Sequence, residues 1–150
     1  AEHPEKFGFS VSHTTRQPRP SEQHGLHYHF VDRQKMQELI DAHSFVEHAE
    51  YSGNMYGTSK DALQVLFSQG KVPLLDIDMQ GVLQVSESDL SALFIFIRPP
   101  SIEELERRLR GRGDTAEEAM QKRLKQAAWE LETAARPGLF NHVIVNESLE

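Results

Sequence analysis

Apolar and polar residues alternate through "FSVSH", with Phe9 and Val11 set against Ser10 and Ser12, the period of a strand covered on one face. Residues 28–31 and 45–51 give further short strand-like runs with turn residues between them, so the first third of the chain predicts a small curved sheet. Asp32 predicts a helix start, with Met36, Leu39 and Ile40 on the apolar side. A second helix begins near Ser59, carries Leu63, Val65 and Leu66, and stops at Gly70.

The pattern then changes. "KVPLLDID" and "SALFIFIRPP" are continuous apolar runs ended by charge or proline, as in strands buried on both faces of a parallel sheet. Ser101 with Glu104, and Thr115 with Glu118, make capping-box patterns before helices carrying Ile102, Leu105 and Leu109, then Met120, Leu124, Ala127, Ala128 and Leu131. Trp129 reads as core within the second of these. "HVIV" at 142–145 adds a last strand. Strands alternating with helices predict an α/β domain with a mostly parallel sheet and the small early sheet as an insertion.

Composition narrows the class. The 150 residues hold 38% hydrophobic and 26% charged residues, values of a globular domain, and no cysteine, which fits a cytoplasmic protein and excludes disulfide and thiolate chemistry. No apolar run is long enough for a membrane span. The net charge of −7 argues against general affinity for nucleic acid or anionic lipid. Within that acidic total, Arg107, Arg108, Arg110, Arg112 and Arg123 cluster, which suits planar contact with a small anion or, equally, a solvated ion-paired helix face.

Three constellations carry candidate chemistry. Asp76 and Asp78 stand at the C-terminal end of an apolar strand, where open α/β sheets bind ligands. One residue apart, they point to opposite sides, one suited to Mg²⁺ through its waters and one to a substrate; the alternative is that one merely caps the next helix. In "SHTTRQPRP", prolines stiffen the chain around Arg19, Arg16 precedes it, and Ser12, the two threonines, Tyr28 and Tyr56 add hydroxyls, a set that suits a phosphate monoester or an ordinary strand end with exposed arginines. "RRLRGRGD" puts Arg108 and Arg112 around a glycine break, with Arg123 a helix further on. His24, His27 and His29 lack the companion ligands of a metal site.

In order, "GFSVSHTTRQPRP", "HYHF", "FVEHAEYSGNMYGTS", "LLDIDMQGV", "PPSIEELERRLRGRG" and "EEAMQKRL" resemble the guanylate kinase family over nearly the whole chain. The resemblance implies a P-loop-kinase-like parallel core at about 59–107 and 124–150, an inserted GMP-binding subdomain at about 9–58 and a helical lid at about 108–123. It implies that Ser12, Arg16, Arg19, Tyr28 and Tyr56 bind the GMP phosphate and that Glu47, Thr58 and Asp78 read the guanine. Guanine offers N–H donors and an O6 acceptor, which carboxylates and a hydroxyl complement. By the same resemblance Asp76 lies near Mg²⁺, Arg108, Arg112 and Arg123 close on the transferring phosphoryl group, and Asn146 lies near the adenine of ATP. The implied activity is phosphoryl transfer from MgATP to GMP, with no nucleic-acid, membrane or obligate protein partner.

Guanylate kinases open with a strand and a phosphate loop of G-x-x-x-x-G-K-[ST] type, and no such motif occurs in these residues. By the resemblance, the chain starts after that loop and stops before the family's closing helix. The expectation is a GMP site and lid with little transfer activity in the chain as given. The alternative is a non-catalytic guanylate kinase-like domain that binds GMP or a phosphorylated protein.

Overall fold

The expected starts and stops are where side chains can satisfy helix ends. In the computed structural model, which describes residues 3–111 and 117–147, the chain divides into units 1–90 and 91–150. The first unit runs β1 (Phe7–Phe9), β2 (His13–Thr14), β3 (His29–Phe30), α1 (Arg33–Asp41), β4 (Phe45–Tyr51), β5 (Asn54–Ser59), α2 (Lys60–Ser68), β6 (Val72–Leu74) and α3 (Met79–Ser86). Asp32 caps α1 by accepting from the Lys35 N–H at 2.7 Å, and Ser59 caps α2 by accepting from the Ala62 N–H. Met36 and Leu63 turn inward from these helices, whereas Val65 is 54% exposed and lies off the covered face.

Four strands make the small sheet, in the order β3-β2-β5-β4. β2 and β3 are parallel, and β5 is antiparallel to both β2 and β4. Ser52 and Gly53 form the β4–β5 turn with φ of 51° and 76°, the two left-handed residues that a tight right-twisted hairpin requires. Among the described residues β4 is an edge strand, and α3 packs along it. Met36, Phe45, Leu63, Met79, Val82 and Val85 form the apolar core of this unit, with Thr14, Glu47 and Thr58 buried beside them.

β1 pairs in parallel with β6. The second unit pairs β7 (Ile95–Arg98) in parallel with β8 (His142–Val145), and carries α4 (Ile102–Gly111) and α5 (Glu117–Ala134) between them. Parallel pairing agrees with the expected α/β class. Burial on both faces does not: Val72, Ile95 and Ile97 are 55%, 46% and 63% exposed. An apolar run reports a preference for cover; the cover itself comes from neighbours, and among the described residues β7 has a strand on one side only.

Ser101 caps α4 through the Glu104 N–H, while Thr115 lies outside the described residues. Trp129 corrects the core reading, at 39% exposed. It stands two residues from Ala127, about 200° around the helix from the Met120 stripe. Met120 and Thr133 are the buried side chains of α5.

Candidate functional site

Segments far apart in sequence converge in the first unit on a cavity of about 270 Å³. Ser12 reaches it from the residue before β2 and Tyr28 from the residue before β3. Glu47, Ala49 and Tyr51 face it from β4, Tyr56 from β5, and Asp76, Ile77 and Asp78 from the segment between β6 and α3. Glu47, Ala49 and Tyr51 alternate, so one face of β4 supplies all three. That period put Tyr51 in the site, although the sequence reading passed over it.

One end of the cavity is built from carboxylates and hydroxyls. Glu47 is 4% exposed and Thr58 fully buried, and the Ser12 and Thr58 hydroxyls share a hydrogen bond of 3.3 Å across 46 residues of chain. Burial pushes the Glu47 carboxyl above its ordinary range; hydrogen bonds from Thr58 oppose the shift, and the negative charge of Asp78 adds to it. Asp78 does two things at once. Its Oδ1 accepts from the Gly81 N–H at 3.0 Å and caps α3, and its Oδ2 accepts from Gln80 Nε2 at 3.1 Å. Capping and cavity lining, set against each other in the sequence, coincide in this residue.

Gly81 is a further site residue. A Cβ there would lie 2.8 Å from Glu47 Oε2 and 3.1 Å from Ile77 Cβ, so the helix comes this close to the carboxylate only because the position has no side chain.

Tyr28 and Tyr56 give the cavity an aromatic wall, and a basic turn stands beside it. Arg16 lies over the Tyr28 and Phe30 rings at 5.5 and 5.9 Å and donates from Nη2 to Glu22 Oε1 at 2.8 Å. Glu22 Oε2 accepts the Arg19 backbone N–H, so one carboxylate ties both arginine positions into a single turn. Those bonds, with the charge of Arg16, hold the Glu22 carboxyl down at about 2. The sequence reading missed Glu22, whose signal lies only in its place inside the quoted motif. Tyr28 is pushed up by burial first and then by the charge of Asp76, so its phenol remains a neutral donor.

The threonines of the opening motif act differently from expectation. Thr14 is fully buried and its Oγ1 accepts the Arg16 N–H; Thr15 Oγ1 accepts the Met55 N–H. Both hydroxyls shape the turn. The side chain of Arg19 stands exposed.

Arg108, Arg123 and Asn146 belong to the second unit. Arg108 donates to Glu104 at 2.6 Å and to the Glu147 carbonyl at 3.0 Å. Arg107 and Arg110 are also ion-paired, as on a solvated helix face. Arg123 lies on α5 with its Nε buried and without a hydrogen-bond partner. Asn146 follows β8 and its N–H reaches the Arg98 carbonyl. Arg112 lies outside the described residues.

The chain that folds around this cavity has close relatives. The chain is 54% identical over 149 residues to guanylate kinase 1 of Oryza sativa subsp. japonica, covering 99% of this chain and 39% of that protein. It is 50% identical over 149 residues to human guanylate kinase, covering 99% and 76%. The crystal structure of guanylate kinase from Anaplasma phagocytophilum superposes with a TM-score of 0.73 at 36% identity, over 98% of this chain and 70% of that one. The family model described as guanylate kinase matches residues 1–150, and the chain belongs to that family.

Proposed function

We propose that this chain carries the GMP-binding part of a guanylate kinase that transfers the terminal phosphoryl group of ATP to GMP. The observation behind it is one cavity that brings the carboxylates Glu47 and Asp78 and the Ser12 hydroxyl, bonded behind to Thr58, together with the phenols Tyr28 and Tyr56, while Arg16 stands over the Tyr28 ring. The carboxylates accept from the N–H groups of guanine and a hydroxyl donates to O6. Adenine presents the opposite pattern, an amino group where guanine has O6. Arg16, Arg19, Tyr28 and Tyr56 hold the phosphate.

Transfer is in line and uses no covalent enzyme intermediate, so the protein's part is positioning and charge neutralisation. Arg108, Arg112 and Arg123, on the lid segment 108–123, stabilise charge on the transferring group, and Asn146 lies against the adenine. The donor set at Asp76 fits a hard cation held mostly by water and phosphate: it is a single exposed carboxylate, and among the described residues no three His, Asp or Glu converge on a metal-sized site. Asp76 would hold Mg²⁺, which when bound with ATP neutralises phosphate charge. The function belongs in the cytoplasm; among the described residues no helix is long and apolar enough to cross a membrane.

These residues contain no phosphate loop of G-x-x-x-x-G-K-[ST] type, so the chain alone turns over far more slowly than a kinase that has one. Calorimetry on the chain tests the reading: GMP binds, guanosine binds more weakly, and AMP fails to compete. Equal affinity for GMP and AMP overturns it. ADP release at ordinary kinase rates overturns the statement about turnover.

A further inference from the structure

α3 meets the free edge of β4 through two glutamines one turn apart. Gln84 Nε2 donates to the His48 carbonyl at 2.6 Å, and Gln84 Oε1 accepts the His48 N–H at 3.1 Å. Gln80 Nε2 donates to the Glu50 carbonyl at 3.4 Å and to Asp78 Oδ2 at 3.1 Å. His48 and Glu50 are two apart on a strand, so their backbone groups face the same side of it, here the outer edge. A side-chain amide has one donor and one acceptor arm, and Gln84 uses both as a neighbouring strand would.

The consequence concerns distance. Glu47, next to His48, and Asp78, the cap of α3, come from different elements, yet both must meet one planar base edge. Gly81 lets the helix approach, and the Gln84 bracket stops it sliding along the strand. We infer that Gln84 is a positioning residue for guanine discrimination, holding α3 in register with β4 so that Asp78 and Glu47 stay at a fixed spacing.

This inference rests on the guanine reading. His48 is exposed, so its backbone groups turn to water when the amide is lost, and the fold loses little. The spacing of the two carboxylates is what changes.

The test compares GMP with inosine monophosphate, which lacks the 2-amino group, using calorimetry on the parent chain and Gln84→Met. Methionine keeps the length and removes both bonds. GMP affinity is expected to fall about five- to tenfold, the scale of one carboxylate–guanine hydrogen bond weakened by the altered spacing. Inosine monophosphate affinity falls less, so the ratio between them narrows while the melting temperature stays close to the parent's. Gln84→Glu, which keeps the acceptor for the His48 N–H, is expected to lie between the two and carries the comparison if Gln84→Met does not fold. A parent chain that prefers GMP, with an unchanged ratio in the variants, overturns the positioning role alone. A parent chain that does not prefer GMP over AMP overturns the guanine reading and this inference with it.

Discussion

Arg16 and Glu22 form an ion pair of 2.8 Å in which the side chains are only 19% and 12% exposed. The pair orders the guanidinium over the Tyr28 ring before any ligand arrives, and pre-ordering lowers the entropy lost on binding. Glu22→Ala is therefore expected to weaken GMP by about three- to tenfold, the scale of a charge-assisted hydrogen bond, and to leave guanosine unchanged. Tighter GMP binding in the variant would show that Glu22 competes with the phosphate.

The same pair has a pH signature. The Glu22 carboxyl sits at about 2 in the fold against an ordinary 4.5. A depressed carboxyl stabilises the fold above its unfolded value, and that contribution is lost as pH falls through the folded one. The difference in melting temperature between parent and Glu22→Gln should be flat above about pH 5 and shrink between 4.5 and about 2. A difference that grows on acidification would contradict the pairing.

Glu47 runs the other way. Its carboxyl is raised by burial, so its ionised form costs stability once pH rises through the folded value, and the cost is absent below the unfolded one. Glu47→Gln should melt no lower than the parent at pH 7 and bind GMP more weakly, with its preference over AMP eroded because an acceptor pair becomes partly a donor. A variant that unfolds readily at pH 7 yet keeps its preference would place Glu47 in the scaffold.

Gly81→Ala tests the close approach of α3. Alanine favours the helix by about 1 kcal/mol, while the new Cβ meets the Glu47 carboxylate at 2.8 Å. The Glu47 carboxylate, at the far end of its side chain, must give way, and Ile77 Cβ at 3.1 Å must yield by a few tenths of an ångström, so the helix gain is offset and the melting temperature should stay near the parent's while GMP affinity falls at least about tenfold, the scale of one misplaced charged hydrogen bond. Unchanged affinity would mean the carboxylate has room to spare.

A stack of imidazoles supplies a last test. The His13 and His29 rings lie 4.7 Å apart, with His24 5.6 Å from His29 and Phe45 edge-on to His13 at 5.4 Å. Burial lowers the His13 and His29 pKa values first, and the neighbouring imidazoles lower them further. A depressed histidine contributes stability above its unfolded 6.5 that is lost as pH falls below it. The melting temperature should drop from pH 7 to 5, and His13→Phe should flatten that slope, as read by scanning calorimetry; an equal slope in the variant would place the acid sensitivity elsewhere.

Much of the local structure was legible from the residues. Asp32, Ser59 and Ser101 mark helix starts because a short polar side chain can reach an unpaired N–H within three residues, and the run at 142–145 is a strand. The motifs also point to the family that the relatives bear out. Where periodicity and cover part company, the reading fails, as at Trp129 and at Val65.

By itself the sequence determined the helix caps at Asp32, Ser59 and Ser101, the strand runs at 45–51, 95–98 and 142–145, the α/β class and the residue types able to bind a nucleotide, because each depends on neighbours a few positions away, whereas the alternating run at 9–13 is broken at residues 10–12 between β1 and β2. Only the tertiary structure decided which of Ser12, Thr14 and Thr15 faces the cavity, that Asp78 caps a helix and lines the site together, and that Glu22, Gly81 and Gln84 position the rest. Those outcomes depend on contacts between segments tens of residues apart, such as Ser12 with Thr58 and Gln84 with His48, and a local pattern of polarity carries no record of which distant backbone will come within 3 Å or so of a side chain.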